Sequence, residues 1–204
     1  MPRHRVILGQ LLVALAVSPF AAHAQTPVPI EFRLTPDTST TRATREQLQR
    51  ILATWDLSRW IFTRTVQIEP GVIPHSHPVL TLNTNGLAND SVKAKSFIHE
   101  QLHWFLSQRH PATAAAIVDL RRMYPDVPAQ QASEKESMYL HTLLGVLELD
   151  ALGALFGEPS ARALIARTPF YTWEYRQALD STASIRRILR AHKIDRPDAR
   201  PSRS

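Results

Sequence analysis

The sequence predicts one α+β domain that is mostly α-helical, with a small antiparallel or mixed sheet packed on a buried central helix. Apolar residues recur at helical spacing in several long segments. Two shorter segments are rich in β-branched and aromatic residues, which is typical of strands. The 204 residues suffice for one domain with a sizeable core, and the absence of cysteine excludes disulfides and thiolate metal ligands.

The first 24 residues have the pattern of a secretory signal peptide. Met1–Arg5 is short and basic, Val6–Phe20 is mostly apolar, and Ala22-His23-Ala24 is a small-x-small cleavage pattern. The apolar run is shorter than the roughly 20 residues that a membrane-spanning helix needs. We therefore expect cleavage after Ala24, a periplasmic or secreted mature protein, and no stable membrane span after cleavage.

The net charge of +6 is concentrated at the carboxyl end of the chain. Most of the excess of Lys and Arg follows Arg186, and no aromatic residues interleave with these charges. We expect residues 195–204 to be a disordered basic tail and residues 25–194 to be the single domain. No nucleic-acid partner is expected, and the sequence does not define the oligomeric state.

The elements before the central helix follow from local patterns. Alternation around Phe32 and Leu34 predicts a short strand, and apolar positions at i, i+3, i+4 and i+7 predict a helix over Ala43–Trp55. Two further strands are predicted over Trp60–Ile68 and Val79–Thr84, joined by the loop Glu69–Pro78. The remaining predicted helices are Ser91–Gln108, Pro111–Met123, Ser133–Phe156, Pro159–Thr168 and a two-part helical stretch, Phe170–Lys193.

The helix Ser91–Gln108 carries His99-Glu100-Gln101-Leu102-His103, which is an H-E-x-x-H motif. Residues i and i+4 of a helix lie on one face, so His99 and His103 can hold one metal ion. Glu100 lies beside them and is placed to act as general base on a water molecule. A zinc hydrolase needs this arrangement together with a third ligand from elsewhere in the chain.

The helix Ser133–Phe156 supplies two candidates for the third ligand. His141 and Glu148 are two turns apart and share a face, separated by about 10 Å along the axis. Gly145 lies between them, where we expect the motif helix or the metal to approach closely. Apolar neighbours indicate that Glu148 is buried, whereas His141 is the alternative ligand or a transition-state donor.

Three further groups are candidate site residues. His75 and His77 point the same way in an extended, proline-flanked loop and are either exposed loop residues, a second metal site or substrate contacts. Tyr171, Trp173 and Tyr175 form an aromatic cluster. They either pack in the core or bring a hydroxyl, that of Tyr175 above all, to an oxyanion.

With these elements, residues 60–156 resemble the gluzincin branch of the zincin metallopeptidases, in particular its minimal single-domain members. The resemblance implies a zincin-like fold, Zn²⁺ held by His99, His103 and Glu148, and Glu100 as general base. It also implies that the strand Val79–Thr84, with Leu80 and Leu82, lines the substrate cleft. Two departures stand out, because Leu152 lies where gluzincins have an acidic residue and Arg109 lies where metzincins have a third histidine.

The sequence therefore predicts an exported zinc-dependent hydrolase with one Zn²⁺ per chain that acts on a peptide or another amide. The alternative is a non-catalytic metal-binding or structural periplasmic protein of zincin-like fold. A third interpretation is a metal buffer that uses His75, His77 and His141 and binds more than one ion.

Overall fold

The protein is described by a computed structural model over residues 28–129 and 131–197. Over this part it is an α+β structure and mostly helical, as predicted. In chain order the elements are β1 (Glu31–Leu34), α1 (Ser39–Thr54), a 3-10 turn (Ser58–Trp60), β2 (Thr65–Ile68), β3 (Leu80–Leu82), α2 (Asp90–Ser107), α3 (His110–Met123), α4 (Ala132–Phe156), α5 (Glu158–Ala166), α6 (Thr172–Asp180) and α7 (Thr182–Ala191).

The three strands form a parallel sheet in the order β1-β2-β3, so the prediction of an antiparallel or mixed sheet was wrong. The connection between β2 and β3 is long enough to return the chain to the same end of the sheet, which a parallel pair requires. That connection carries one antiparallel bridge, in which the backbones of His75 and Thr81 exchange hydrogen bonds of 3.0 and 2.8 Å.

Strand β2 is shorter than predicted because the motif helix binds the residues that precede it. The side-chain oxygen of Gln101 accepts hydrogen bonds from the backbone N–H groups of Phe62 (2.7 Å) and Thr63 (2.9 Å), and its amide nitrogen donates to the Thr63 carbonyl (2.8 Å). These backbone groups are therefore satisfied without a sheet partner. Gln101, an unspecified position of the motif, fixes α2 against the sheet.

Side-chain caps explain where the first two helices begin. Helix α1 begins at Ser39, earlier than predicted, because the Thr38 hydroxyl accepts from the backbone of Thr41 in a capping box. Helix α2 begins after Asn89, whose side chain accepts from the Val92 backbone at 3.1 Å.

Helix α4 is the centre of the helical layer and packs against α2, α3, α5, α6 and α7. It ends at Phe156, as predicted, and Gly157 follows with a φ of 81°, which glycine adopts without a steric penalty. By length and composition alone α4 is long and apolar enough to cross a membrane. Because 67% of that apolar window is buried inside the structure, its hydrophobicity is accounted for by its place in the core.

Helix α2 packs against β3, α1, α3 and α4, so it lies between the sheet and the helical layer. Eleven of its side chains are buried, which agrees with the predicted central helix. The predicted signal peptide and residues 198–204 of the predicted basic tail lie outside the described residues. Residues 195–197 form neither helix nor strand, and Pro197 is buried.

Candidate metal site

Three histidines from two helices converge at the centre of the molecule. The ring centroids of His99 and His103 on α2 are 5.0 Å apart, and the ring of His141 on α4 lies 5.6 Å from His99 and 5.0 Å from His103. One ligand atom from each of them lies within 4.8 Å of the others, a spacing at which all three could hold one ion. We call this group the three-histidine site.

Two of these rings are held by hydrogen bonds that leave Nε2 as the ligand atom. Nδ1 of His141 lies 2.8 Å from the carbonyl oxygen of Ser137, one turn earlier on α4. Nδ1 of His99 lies 3.4 Å from Oε2 of Glu148. In metal sites a histidine ligand usually donates its second ring N–H to a carbonyl or carboxylate, which fixes its tautomer and orientation.

The environment of the site keeps two of the imidazoles neutral, as metal binding requires. Burial lowers the pKa of His141 to about 4, and the neighbouring His99 acts in the same direction. Burial, with His99 and His141 nearby, also holds the pKa of His103 far below its ordinary value. Both rings therefore offer a lone pair at neutral pH.

Glu148, the predicted third ligand, lies behind His99 and is not a member of the three-histidine site. Its side chain is fully buried, and its Oε1 lies 3.3 Å from the Lys95 ammonium while its Oε2 accepts a 2.6 Å hydrogen bond from the Tyr175 hydroxyl. Burial alone would raise its pKa, but Lys95, His99 and Tyr175 outweigh burial and hold the pKa at about 2. Glu148 is therefore an ionised carboxylate that supports a histidine.

Lys95 and Tyr175 complete what we call the supporting network of Lys95, Glu148 and Tyr175. The Lys95 ammonium donates to the Tyr175 hydroxyl at 2.9 Å. Because the Tyr175 hydroxyl is engaged with both partners, the structure does not present it as an open donor for an oxyanion. The sequence interpretation missed Lys95, although its spacing of four residues before His99 places it on the same face of α2.

Tyr171 covers the three-histidine site from the side of α6. Its ring stacks on that of His141 at 4.1 Å and 16°, and lies nearly parallel to that of His99 at 5.4 Å. Its backbone has a φ of 56°, a conformation that a non-glycine residue rarely adopts. Burial raises the pKa of the Tyr171 hydroxyl, and the charge of Glu100 acts in the same direction.

Glu100 is the unpartnered carboxylate of the site. It is 5% exposed, and it makes no hydrogen bond or ion pair with another residue in the part of the chain that the structure describes. Burial raises its pKa, although His99 opposes this effect. Its oxygens are not among the fully buried side-chain atoms that lack a hydrogen-bond partner, so they remain accessible to a water molecule, as proton transfer requires.

The loop histidines lie at the rim rather than in the site. His77 is exposed and stacks on Trp104 at 4.3 Å, while the Trp104 indole donates to the carbonyl of Ser76 at 2.7 Å. His75 is exposed and acts on the pKa of Glu100, so its imidazole lies within electrostatic range of that carboxylate. Within the described ranges neither belongs to a group of three metal-binding side chains.

Leu80 and Leu82, expected in the cleft, are fully buried in the core. Their side chains cannot contact a substrate in this structure, because both belong to the hydrophobic core and have no exposed surface.

A cavity of about 500 Å³ opens beside His103, between α2, α3 and the first turns of α4. Leu106, Ile117 and Leu140 form apolar walls, and His77 and His103 lie in its lining. We call it the His103 cavity. Its size falls within the range of small-molecule sites in proteins.

No protein-family model, no curated protein and no solved structure matches this chain.

Proposed function

We propose that this protein is an exported zinc-dependent hydrolase that acts on a peptide or another amide. His99, His103 and His141 hold the metal, and Glu100 is the general base. One observation carries the proposal: three imidazoles from α2 and α4 converge, and the carboxylate of Glu100, which forms no hydrogen bond with another described residue, follows the first of them along α2.

The donor set suits zinc. The chain has no cysteine, and three imidazoles with one open position are a common ligand set of catalytic zinc sites. Mg²⁺ and Ca²⁺ prefer oxygen ligands, so this site does not favour them. His141 serves as third ligand in place of Glu148, which departs from the ligand set that the gluzincin resemblance implies.

Different residues of the chain have different roles in hydrolysis. A bound zinc ion supplies Lewis-acid chemistry, making a water molecule more acidic and polarising a substrate carbonyl. Glu100 takes the proton of the attacking water and passes it to the leaving amine. The supporting network holds His99 through Glu148, and Tyr171 restricts the ring of His141 by stacking on it.

A purified preparation tests the proposal. We expect about one zinc per chain, and hydrolysis of a mixed peptide library that mass spectrometry detects. Glu100→Gln should retain the zinc and abolish hydrolysis, whereas Glu158→Gln, the same change at an exposed position of α5, should alter neither. Protein that stays metal-free when zinc is supplied in excess would overturn the proposal.

The same experiment separates the rival functions. A non-catalytic metal-binding protein would hold zinc and cleave nothing, and Glu100→Gln would change no measured property. A metal buffer that uses His75 and His77 would bind more than one ion. Among the described residues there is a single group of three candidate ligands, which favours one ion per chain.

Export is part of the proposal and rests on the first 24 residues. Amino-terminal sequencing of the protein from its native host should give Gln25 as the first residue. Retention of Met1 in protein recovered from the cytoplasm would contradict this assignment.

A further inference from the structure

We infer that α7 and the residues that follow it form a surface by which the protein binds an anionic lipid bilayer. Four exposed cations make up this surface, which we call the α7 basic surface: Arg187, Arg190, Lys193 and Arg196. The inference does not depend on the metal or on hydrolysis. It places the protein at the surface of a membrane, bound through the lipid phosphates.

The positive charge of the protein is concentrated at the carboxyl end of the chain. From Arg186 onward there are seven Lys and Arg against two Asp, whereas residues 25–185 contain 15 Lys and Arg against 16 Asp and Glu. The net charge of the whole chain therefore understates the charge near α7. A negatively charged surface would attract this end of the protein and orient α7 towards itself.

Helix α7 separates its cations from its apolar residues. At about 100° of rotation per residue, Arg187 and Arg190 lie on the side of the helix that faces away from Ile185 and Leu189. Ile185 and Leu189 are buried in the core, while the two arginines are exposed. Because the apolar side of α7 is already packed against the protein, the helix would bind a bilayer through charge and would not insert into it.

The chain after α7 is fixed to the domain, so its charges belong to a defined surface. Nε2 of His192 lies 2.7 Å from Oδ2 of Asp119 on α3, and the backbone N–H of Ile194 donates to the Leu189 carbonyl at 2.9 Å. Ile194 is 1% exposed, and Pro197 is buried. Cations held on a folded surface lose less conformational entropy on binding than cations on a free tail.

The α7 basic surface lacks counter-charges from the protein. Within the described residues Arg187, Arg190 and Lys193 form no ion pair. Acidic residues of the neighbouring helices have other partners, namely Arg186 for Asp150, Arg162 for Glu158 and His192 for Asp119. Lipid phosphates would supply the missing negative charge, with a gain of about fivefold in affinity for each cation.

The composition of this surface favours a bilayer over a nucleic acid. Proteins that bind single strands combine basic residues with aromatic rings on which bases stack. No Phe, Tyr or Trp occurs in the chain after Tyr175, so the sequence supplies no such ring among these charges. The proposed export also places the protein beside membranes.

The α7 basic surface and the metal site lie on different sides of α4. Asp150, which pairs with Arg186 of α7, follows Glu148 by two residues and is therefore about 200° round the helix from it. Glu148 is directed towards His99 of α2 and Tyr175 of α6. A bilayer bound through α7 should therefore leave the three-histidine site uncovered.

Two triple variants that remove the same number of charges test the surface. The first changes cations of the α7 basic surface: Arg187→Gln, Arg190→Gln and Lys193→Gln. The second changes exposed arginines of β1 and of the segment before β2: Arg33→Gln, Arg59→Gln and Arg64→Gln. Because the two variants have equal net charge, a difference between them reports the position of the charge.

Lys193→Gly separates binding from folding. Lys193 ends α7 with a φ of 56°, a conformation that glycine adopts without a steric penalty. Lys193→Gly should therefore raise the midpoint temperature of thermal unfolding and at the same time weaken binding to anionic vesicles by about fivefold. Misfolding cannot produce this combination.

Co-sedimentation of residues 25–204 with lipid vesicles measures the affinity in about 0.1 M salt, where charges more than about 10 Å from the lipid are largely screened. The wild type should bind vesicles of equal parts phosphatidylglycerol and phosphatidylcholine, and should not bind pure phosphatidylcholine. About 1 M salt should release it, because the screening length falls to about 3 Å. The first triple variant should bind about 100-fold more weakly, and the second should lose less than about fivefold.

Three results would overturn the inference: no binding to the anionic vesicles, equal binding to both kinds of vesicle, or equal losses in the two triple variants. Binding of duplex DNA by the wild type and not by the first triple variant, without binding to vesicles, would also overturn it and make a nucleic acid the partner. Metal-free protein and Glu100→Gln should bind vesicles as the wild type does. Failure of the proposed hydrolase function would therefore leave membrane binding intact.

Discussion

The hydroxyl of Tyr175 donates a 2.6 Å hydrogen bond to Oε2 of Glu148, the same oxygen that lies 3.4 Å from Nδ1 of His99. Burial and the charge of Glu148 raise the pKa of Tyr175 well above its ordinary value, so the phenol remains a donor. The fully buried carboxylate of Glu148 thus lies behind His99. His141, rather than Glu148, completes the three-histidine site.

Replacing His141 should weaken zinc binding far more than replacing Glu148. His141→Ala removes a member of the three-histidine site, whereas Glu148→Gln removes a carboxylate that supports His99. Loss of such a supporting group typically lowers metal affinity about 10- to 100-fold, so the loss for His141→Ala should exceed this range. Competition with a chromophoric chelator measures both affinities.

An exposed histidine provides the control for this comparison. His110→Ala removes an imidazole from the cavity mouth and should leave zinc affinity unchanged. A loss for Glu148→Gln equal to that for His141→Ala would instead make Glu148 a ligand.

Tyr175→Phe should destabilise the protein by about 1.5–3 kcal/mol, the range for a hydrogen bond to a charged group. The change removes the donor to Glu148 and the acceptor of Lys95 without altering the ring. Urea unfolding measures the difference. Tyr171→Phe, which keeps the ring stacked on His141, should change stability by less than about 0.5 kcal/mol. Equal effects of the two substitutions would show that the network does not stabilise the fold.

Gly145→Ala should destabilise the protein, although alanine favours a helix over glycine by about 1 kcal/mol. An added Cβ would lie 3.1 Å from the Cβ of Ala178 and 3.2 Å from Cδ1 of Tyr175, and overpacking of this kind costs about 1–3 kcal/mol. The close approach at Gly145 is thus made by α6, and the expectation that the motif helix or the metal packs there was wrong. Thermal unfolding compared with Gly153→Ala tests this.

Gly153 is the matched control because it lies on the same helix and an added Cβ there would make only an ordinary van der Waals contact. The atom nearest to an added Cβ there is 3.9 Å away, so Gly153→Ala should stabilise the protein by up to about 1 kcal/mol. Stabilisation by both substitutions would mean that Ala178 and Tyr175 on α6 shift to accommodate the added Cβ at little cost in free energy.

Lys93 should make stability rise with pH between about 8 and 10.5. Its side chain is buried and its ammonium donates to the Asn83 carbonyl at 2.8 Å, and burial lowers its pKa from 10.5 to about 8. The folded protein therefore binds fewer protons than the unfolded chain in this window, so the free energy of unfolding increases as pH rises through it. Below about pH 8 both states are protonated and the folded state carries the full cost of the buried charge.

Lys93→Met isolates this contribution from other titrating groups. Urea unfolding at several pH values measures the free energy of unfolding of both proteins. As pH rises through the window, the wild type should gain stability relative to the variant. Lys193→Met, at an exposed position, is the control. A difference that stays constant with pH would show that Lys93 titrates at the same pH in both states.

The local features of this protein could be predicted because short-range geometry decides them. His99 and His103 share a face wherever their segment is helical, since four residues make about one turn. The helical segments and the end of α4 at Gly157 likewise depend on apolar spacing and on capping residues nearby in the chain. For the same reason the mostly helical α+β class followed from pattern alone.

The choice between His141 and Glu148 depended on how α2 crosses α4. Both side chains lie on one face of α4, two turns apart, so the sequence admits either as a ligand. In the folded protein His141 meets both motif histidines, and Glu148 meets only the far side of His99. The position and angle of a helix crossing depend on packing over the whole contact, and no short stretch of sequence contains them.

The parallel sheet, the partner of Gly145 and the supporting network were also decided by tertiary structure. Lys95, Glu148 and Tyr175 are far apart in the chain and meet only because α2, α4 and α6 pack together. The sequence alone determined a pair of histidines and a carboxylate on one helix. Packing decided that His141 joins them. Glu148 lies instead beside Lys95 and Tyr175, because a buried carboxylate needs an ion pair or a hydrogen-bond donor to compensate its charge.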